Sequence, residues 1–242
     1  TSGVVSFFGV FYLASVGYFG DMPDFRQLEN PKTNFASEII SSDNKVFGKY
    51  YFNDNRTPIE YEEINPETIN ALIAIEDERF YSHPGIDLKA TLRAIVFLNQ
   101  RGGASTITQQ LARQLFVGVR SRNIFQAVTQ KIKEWVIAVR LEKQYTKQEI
   151  LTMYLNIYDF GYYGDGIKSA SNIYFSKEPI DLKTEESAML IGMLQNSSLY
   201  DPIRRPEITK NRRNLVLTQM TKNNYITKKE EDSLKLLPLT LE

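Results

Sequence analysis

Cysteine is absent from the 242 residues. That excludes a thiol nucleophile, a disulfide framework and a cysteine-ligated zinc site. Histidine occurs once, as His83. One imidazole cannot build a histidine metal site, and it has no obvious serine partner; its expected role is to hold the turn at Pro84-Gly85. Net charge is missing as well. The chain's 29 basic side chains balance 29 acidic ones, so no global field points to nucleic acid as a partner. Neither an internal repeat nor a low-complexity tract is present. No lysine follows Gly102 and Gly103 at the spacing of a P-loop.

Charge of either sign is also lacking in residues 1–20, TSGVVSFFGVFYLASVGYFG, and the first charged residue is Asp21. A run this long and apolar spans most of a bilayer's hydrocarbon core. Tyr12, Tyr18 and Phe19 suit its water-facing end. Residues 1–20 are therefore expected to be part of a transmembrane anchor, with the rest of the chain on the non-cytoplasmic side. Residues 21–62 read as a Pro-containing linker followed by a small β-containing region, with a turn at Asp43-Asn44 between β-prone segments. From residue 63 to 242 the pattern is helical, so the fold class expected is mainly α.

Local signals mark the helices. Asn65 can cap the first, with Pro66 at its first position. Asp87 can cap the second. A third runs from Thr106 to Phe116. Residues 124–143 form a long amphipathic pattern with Val128, Ile132, Trp135 and Val139 on one face. Thr146 with Glu149, and Thr227 with Glu230, fit capping boxes. Thr184 is expected to cap the helix that runs to about Gln195.

What is abundant is a cluster of polar chemistry over residues 71–116, beside apolar runs. Ile69, Leu72, Ile73 and Glu76 fall at helical spacing, so Glu76 ends an apolar stripe where the helix meets a loop. A carboxylate there suits a general base; it is equally the place for a helix-end ion pair. The Gly102–Gly103 loop opens onto Ser105, Thr106, Gln109, Gln110 and Arg113, with Ser105, Thr106, Gln109 and Arg113 close to one helical face. Such a helix start attracts anions. Lys131 and Glu134, three residues apart, read most simply as a surface ion pair. Arg204, Arg205, Lys210, Arg212 and Arg213 read as a solvated basic face or a meeting point with anionic lipid headgroups.

Taken together, these residues resemble the glycosyltransferase domain of class A penicillin-binding proteins and monofunctional peptidoglycan glycosyltransferases. Five blocks match in order: IEDERFYSHPGID, GGASTITQQLARQLF, QKIKE, KQEILTMYLN, and the stretch from Gly164 through IKSASNIYF. The resemblance covers about residues 60–220. It implies a lysozyme-like helical lobe with a small membrane-proximal jaw. It implies processive transfer of a growing glycan from undecaprenyl diphosphate onto lipid II, at the outer face of a bacterial inner membrane crossed once by the anchor. By position, the family's catalytic base falls on Glu76 and its second carboxylate on Glu134. Asp77, His83, Ser105, Thr106, Gln109, Gln110, Arg113 and Lys131 fall on substrate-binding positions. The resemblance implies that Glu134 assists near the diphosphate, directly or through a divalent cation, Mg²⁺ or Mn²⁺, with the metal requirement left open and no organic cofactor. Expected partners are lipid II, the growing glycan, membrane lipids, and a fused or separate transpeptidase, whose Lys-Thr-Gly motif this chain lacks.

The sequence departs from the family pattern in four places. Gln130 stands for the usual Arg, Arg113 for a common Lys, and Thr152 for the usual Glu. The segment between Phe116 and Lys131 is several residues long for the family. If the missing cation at position 130 limits leaving-group stabilisation, Gln130→Arg raises turnover, unless Arg120 or Arg122 already fills the role. Two alternatives stand beside the polymerase: a lipid II or cell-wall binding module without turnover, and a lysozyme-like glycan hydrolase using two carboxylates.

Overall fold

The structure is a computed structural model that describes residues 37–42, 46–50, 57–96, 105–119 and 121–241, together with Gly9 and Gly17. The expected anchor, the linker, the Gly102–Gly103 pair and Arg120 lie outside the described residues. Among the described residues no helix is long and apolar enough to cross a membrane.

The fold is mainly helical, as the sequence leads one to expect. The chain divides into two compact units, one comprising Thr1–Lys32 with Arg79–Ile150 and the other Thr33–Glu78 with Leu151–Glu242.

The second unit begins with the expected hairpin. Strand β1 (Ser37–Ile40) pairs antiparallel with β2 (Val46–Tyr50), with a register shift between Ile39 and Ile40. Helix α1 (Pro66–Glu76) follows. The Asn65 side chain accepts the Glu67 N–H at 2.8 Å and donates to the carbonyls of Ile180 and Leu182, so the cap also ties α1 to a distant segment. Helix α7 (Thr184–Met193) is buried on every side from Ser187 to Met193, which makes it the central element of this unit. It packs on α1 and on α8 (Pro206–Lys222), and α8 in turn packs on α1 and α9 (Lys228–Leu236). Each fully buried Leu, Ile or Met in this core contributes about 1.5–3 kcal/mol. Thr227 and Glu230 form the expected capping box of α9. At α7 the expectation needs correcting: Thr184 is the first helical residue, not the cap. The cap position is Lys183, whose N–H is taken by the Glu186 carboxylate at 2.8 Å.

The first unit holds α2 (Leu88–Val96), α3 (Ile107–Ala112) and α4 (Ile124–Gln144). Asp87 caps α2 as expected, accepting the Ala90 N–H at 2.9 Å. Helix α3 does not continue as an α-helix to Phe116; it passes into a π-helical turn over Arg113–Val117. Such turns are rare and concentrate at functional positions. Helix α3 packs against α4. The face of α4 that is buried is Glu134, Ile137, Ala138 and Leu141 with Val136, not the expected stripe. Val128 of that stripe is 55% exposed. Helix α5 (Lys147–Ile157), opened by the Thr146–Glu149 box, carries the chain from the first unit into the second. Helix α6 (Gly166–Phe175) follows a loop over residues 158–165.

Candidate active site

The candidate residues fall into both units. In the second unit Ile69, Leu72 and Ile73 bury one face of α1 and leave Glu76 on its last turn. Asp77 terminates the helix, its N–H reaching Ile73 O at 3.1 Å, and is itself buried. The Glu76 side chain is 15% exposed, and Arg212 Nη2 of α8 stands 3.9 Å from its Oε1. That distance is too long for a hydrogen bond, so the two interact as charges. Arg212 is held by other groups. Its Nε donates to Gly192 O at 3.2 Å, and its guanidinium lies 5.4 Å from the centre of the Tyr200 ring. The carboxylate therefore faces a cation whose position does not depend on it.

Arg212 is thus not part of a solvated face. Neither is Arg213, which is 1% exposed and donates to the carbonyls of Leu237 and Pro238 at 2.8 and 3.1 Å. Of the basic residues read from the sequence, Arg204 does remain in solvent, with its side chain 77% exposed.

In the first unit Lys131, Ser105 and Glu134 come together. Lys131 Nζ donates to Ser105 Oγ at 2.7 Å and to Glu134 Oε2 at 2.8 Å. Glu134 is only 6% exposed, so the pair is not the surface ion pair that its spacing suggests. A half-buried lysine held between a hydroxyl and a carboxylate is a fixed positive charge, suited to an anionic group.

Thr106 and Gln109 serve the scaffold. Thr106 Oγ1 caps α3 by accepting the Gln109 N–H at 3.1 Å, and donates to Gly85 O at 2.7 Å. The Gln109 side chain, fully buried, donates to the same carbonyl at 3.3 Å. Gly85 has φ of 89°, and a β-carbon there would stand 2.9 Å from Ala138 O, so only glycine fits. The His83 loop is fastened by Lys147, which donates to His83 O at 2.8 Å, pairs with Glu142 at 2.7 Å and lies 4.2 Å from the Phe80 ring centre. His83 is buried with its ring edge-on to Phe80. Arg79 grips Asp87 through two nitrogens at 2.6 and 2.8 Å. Burial opposes the ionised form of Asp87, but the Ala90 N–H and Arg79 outweigh it and hold the carboxyl below its ordinary range. Gln110 and Arg113 are half-buried at the end of α3 and the start of the π-helical turn.

Gln130 has a role the sequence does not show. Its amide accepts the Ser121 N–H at 2.8 Å and donates to Val119 O at 3.0 Å, clipping the preceding segment to α4.

A family model described as Transglycosylase matches residues 43–221. The chain belongs to the transglycosylase family. The reaction of this family is, by that description, the transfer of glycosyl groups. The chain is similar to penicillin-binding protein 1A of Vibrio cholerae serotype O1, with 36% identity over 241 residues, covering 98% of this chain and 28% of that protein. Penicillin-binding protein 1F of Bacillus subtilis is 39% identical over 199 residues, covering 81% of this chain and 27% of that protein. The transglycosylase thus spans about a quarter of the length of the curated relatives it matches. Among solved structures, penicillin-binding protein 1A from Haemophilus influenzae shares the fold, with a TM-score of 0.50 at 22% identity over 87% of this chain and 22% of that one.

The residue that sequence reasoning missed is Arg212. Its partner Glu76 is remote in sequence, and the basic run around it reads as solvated surface. Nothing short of the fold reveals the pairing.

Proposed function

We propose that this transglycosylase polymerises lipid II by an inverting single displacement. The acceptor sugar's 4-hydroxyl oxygen bonds to the donor's anomeric carbon as the bond from that carbon to the undecaprenyl diphosphate breaks. The hydroxyl proton passes to Glu76, the general base, and the electron pair leaves on the diphosphate. The observation that carries this reading is Glu76 at the end of the apolar stripe of α1, facing the independently held Arg212 cation. Lys131, fixed by Ser105 and Glu134, supplies positive charge for the departing diphosphate.

A divalent cation fits this arrangement only in part. Among the described residues no group of three or more His, Asp or Glu could hold a metal. Mg²⁺ or Mn²⁺ would have Glu134 as a single protein ligand and rely on diphosphate oxygens for the rest, as Mg²⁺ commonly does. When bound it would share the neutralisation of the leaving group with Lys131.

The domain works at a membrane surface, tethered by residues 1–20 and oriented to the periplasmic or extracellular side. In the first unit Leu88 and Leu92 of α2 and Ile124, Phe125 and Val128 of α4 are each more than half exposed, which supports contact with lipid. A transpeptidase partner, fused or separate, would cross-link the product.

The test incubates the protein with lipid II, with and without Mg²⁺ or Mn²⁺, and separates the products by size. Polymeric glycan is expected. Binding of lipid II with no polymer would overturn the reading.

A further inference from the structure

The loop between α5 and α6 contains two adjacent tyrosines in the left-handed region, Tyr162 with φ of 50° and Tyr163 with φ of 63°. Bulky side chains rarely adopt that conformation, and it persists only where the surroundings impose it. Here they do. The Gly161 N–H donates to Asp159 Oδ1 at 2.7 Å, and the Gly164 N–H to Gly161 O at 2.7 Å. The Tyr162 hydroxyl donates to Asp201 Oδ2 at 2.8 Å. Asp201 is itself 6% exposed and accepts the N–H groups of Ile203 and Arg204 at 2.9 and 3.0 Å.

Burial does not account for this strain, because Tyr163 is 70% exposed and Tyr162 39%. Asp201 is satisfied by three hydrogen bonds, and the Arg204 Nε stands 3.8 Å from its Oδ2, a loose pairing that leaves the guanidinium's other donors to solvent. The Arg204 guanidinium lies 5.8 Å from the Tyr162 ring centre and projects into solvent. Together with Phe160, Gly161, Ser197 and Ser198 these groups line a pocket of about 260 Å³.

A rigidly held aromatic surface beside an exposed guanidinium matches one chemistry closely. Aromatic faces, negative at their centres, receive the C–H face of a pyranose. A guanidinium reads a carboxylate with two parallel hydrogen bonds. A sugar that carries a carboxylate-bearing peptide presents both. The pocket is also joined to the catalytic base within the second unit. Tyr200, next to Asp201, lies under Arg212, and Arg212 faces Glu76.

We propose that the pocket between the 158–165 loop and the Ser197–Arg204 segment is a subsite for the glycopeptide part of the substrate, with a peptide carboxylate on Arg204 and a pyranose against the Tyr162 ring. This rests on the reading of the protein as a lipid II polymerase. It assigns recognition of the peptide-bearing sugar to a place distinct from the base and from the lysine of the first unit.

The test titrates a soluble disaccharide-pentapeptide, without lipid or diphosphate, into the whole chain by calorimetry. Matched titrations use the disaccharide alone and the pentapeptide alone. The wild type binds the disaccharide-pentapeptide most tightly. Arg204→Ala weakens that binding about tenfold, the worth of one charge-assisted contact, and leaves the weaker binding of the bare disaccharide unchanged. Tyr162→Gly, which suits the left-handed backbone, weakens binding of both sugar-containing ligands. In polymerisation, Arg204→Ala raises KM for lipid II more than it lowers kcat. A protein that polymerises lipid II while its fragment binding ignores both substitutions overturns the subsite. A protein that binds the fragment through Arg204 yet forms no glycan overturns the polymerase reading and leaves the subsite standing.

Discussion

At the scale of single residues, Glu76 faces a cation that other groups hold in place. Arg212 is fixed by Gly192 O and the Tyr200 ring, and Glu76 sits opposite it. Removing a group that positions a base misplaces it by fractions of an ångström, which costs up to about a hundredfold in rate. Arg212→Ala is therefore expected to lower kcat by about ten- to a hundredfold with little change in KM. Arg212→Lys restores the charge but not the planar contact with Tyr200, so it recovers only part of the loss. Steady-state kinetics on lipid II checks both. Gln130 calls for a two-part prediction. Gln130→Arg adds a cation and is expected to raise turnover. Arginine has no acceptor, however, so the Ser121 N–H loses its partner. Hydrogen exchange is expected to quicken at Ser121, and unchanged exchange there would show that the clip is not holding the segment. The residues legible in sequence were those whose partners lie a few positions away: the caps Asn65 and Asp87, and the boxes Thr146–Glu149 and Thr227–Glu230. Arg212 was hidden because its partner is set by helix packing. Thr106 and Gln109 were legible as a cluster, but their common target, the Gly85 carbonyl, was not.

At the scale of elements, α9 is docked on α8 by a buried carboxylate. Glu231 is 2% exposed and is held by Lys235, by Lys228 at 3.1 Å and by Thr218 at 3.0 Å. The Lys235 hydrogen bond, with help from Lys228 and Thr218 against the cost of burial, draws its pKa from 4.5 to about 2. A carboxyl whose folded pKa is depressed adds stability above its unfolded pKa and loses it as pH falls through the folded one. The melting temperature is therefore expected to fall between pH 4.5 and about 2. In Glu231→Gln it starts lower at neutral pH, by about 1–3 kcal/mol of stability, and declines less over that window. A variant that melts like the wild type at pH 7 would contradict the docking role. Gly166→Ala tests the start of α6. Gly166 has φ of 81°, and a β-carbon there would meet Asn156 O at 2.5 Å. Asn156 also holds Ile59 through bonds of 2.9 and 3.2 Å. The substitution is expected to cost at least about 1–3 kcal/mol, read by urea unfolding. Element-level reading of the sequence failed most clearly at α4. Its sequence carries two apolar stripes, and the one that is buried includes Glu134. A charged residue inside the buried face conceals that face from any reading based on hydropathy, and the Lys131 ammonium compensates its burial.

At the scale of the molecule, the chain carries two cores rather than one, and the candidate residues are shared between them. Glu76 and Arg212 belong to one unit, and Ser105, Lys131 and Glu134 to the other. The exposed apolar residues of α2 and α4 belong to the latter. Replacing Ile124 and Phe125 together by glutamate is expected to reduce sedimentation with anionic vesicles while leaving the melting temperature within a few degrees, since neither side chain is buried. Undiminished sedimentation would remove that surface from the account of membrane contact. The reaction class was legible in the sequence because its motif blocks are contiguous. The division into units was not, because it joins Thr33–Glu78 to Leu151–Glu242 across the whole of the intervening segment. The most direct test of the central claim is lipid II polymerisation by Glu76→Gln, measured beside its affinity for lipid II. Glycan synthesis is expected to fall about 10²- to 10⁴-fold, with lipid II binding retained. Polymerisation at the wild-type rate would contradict that claim.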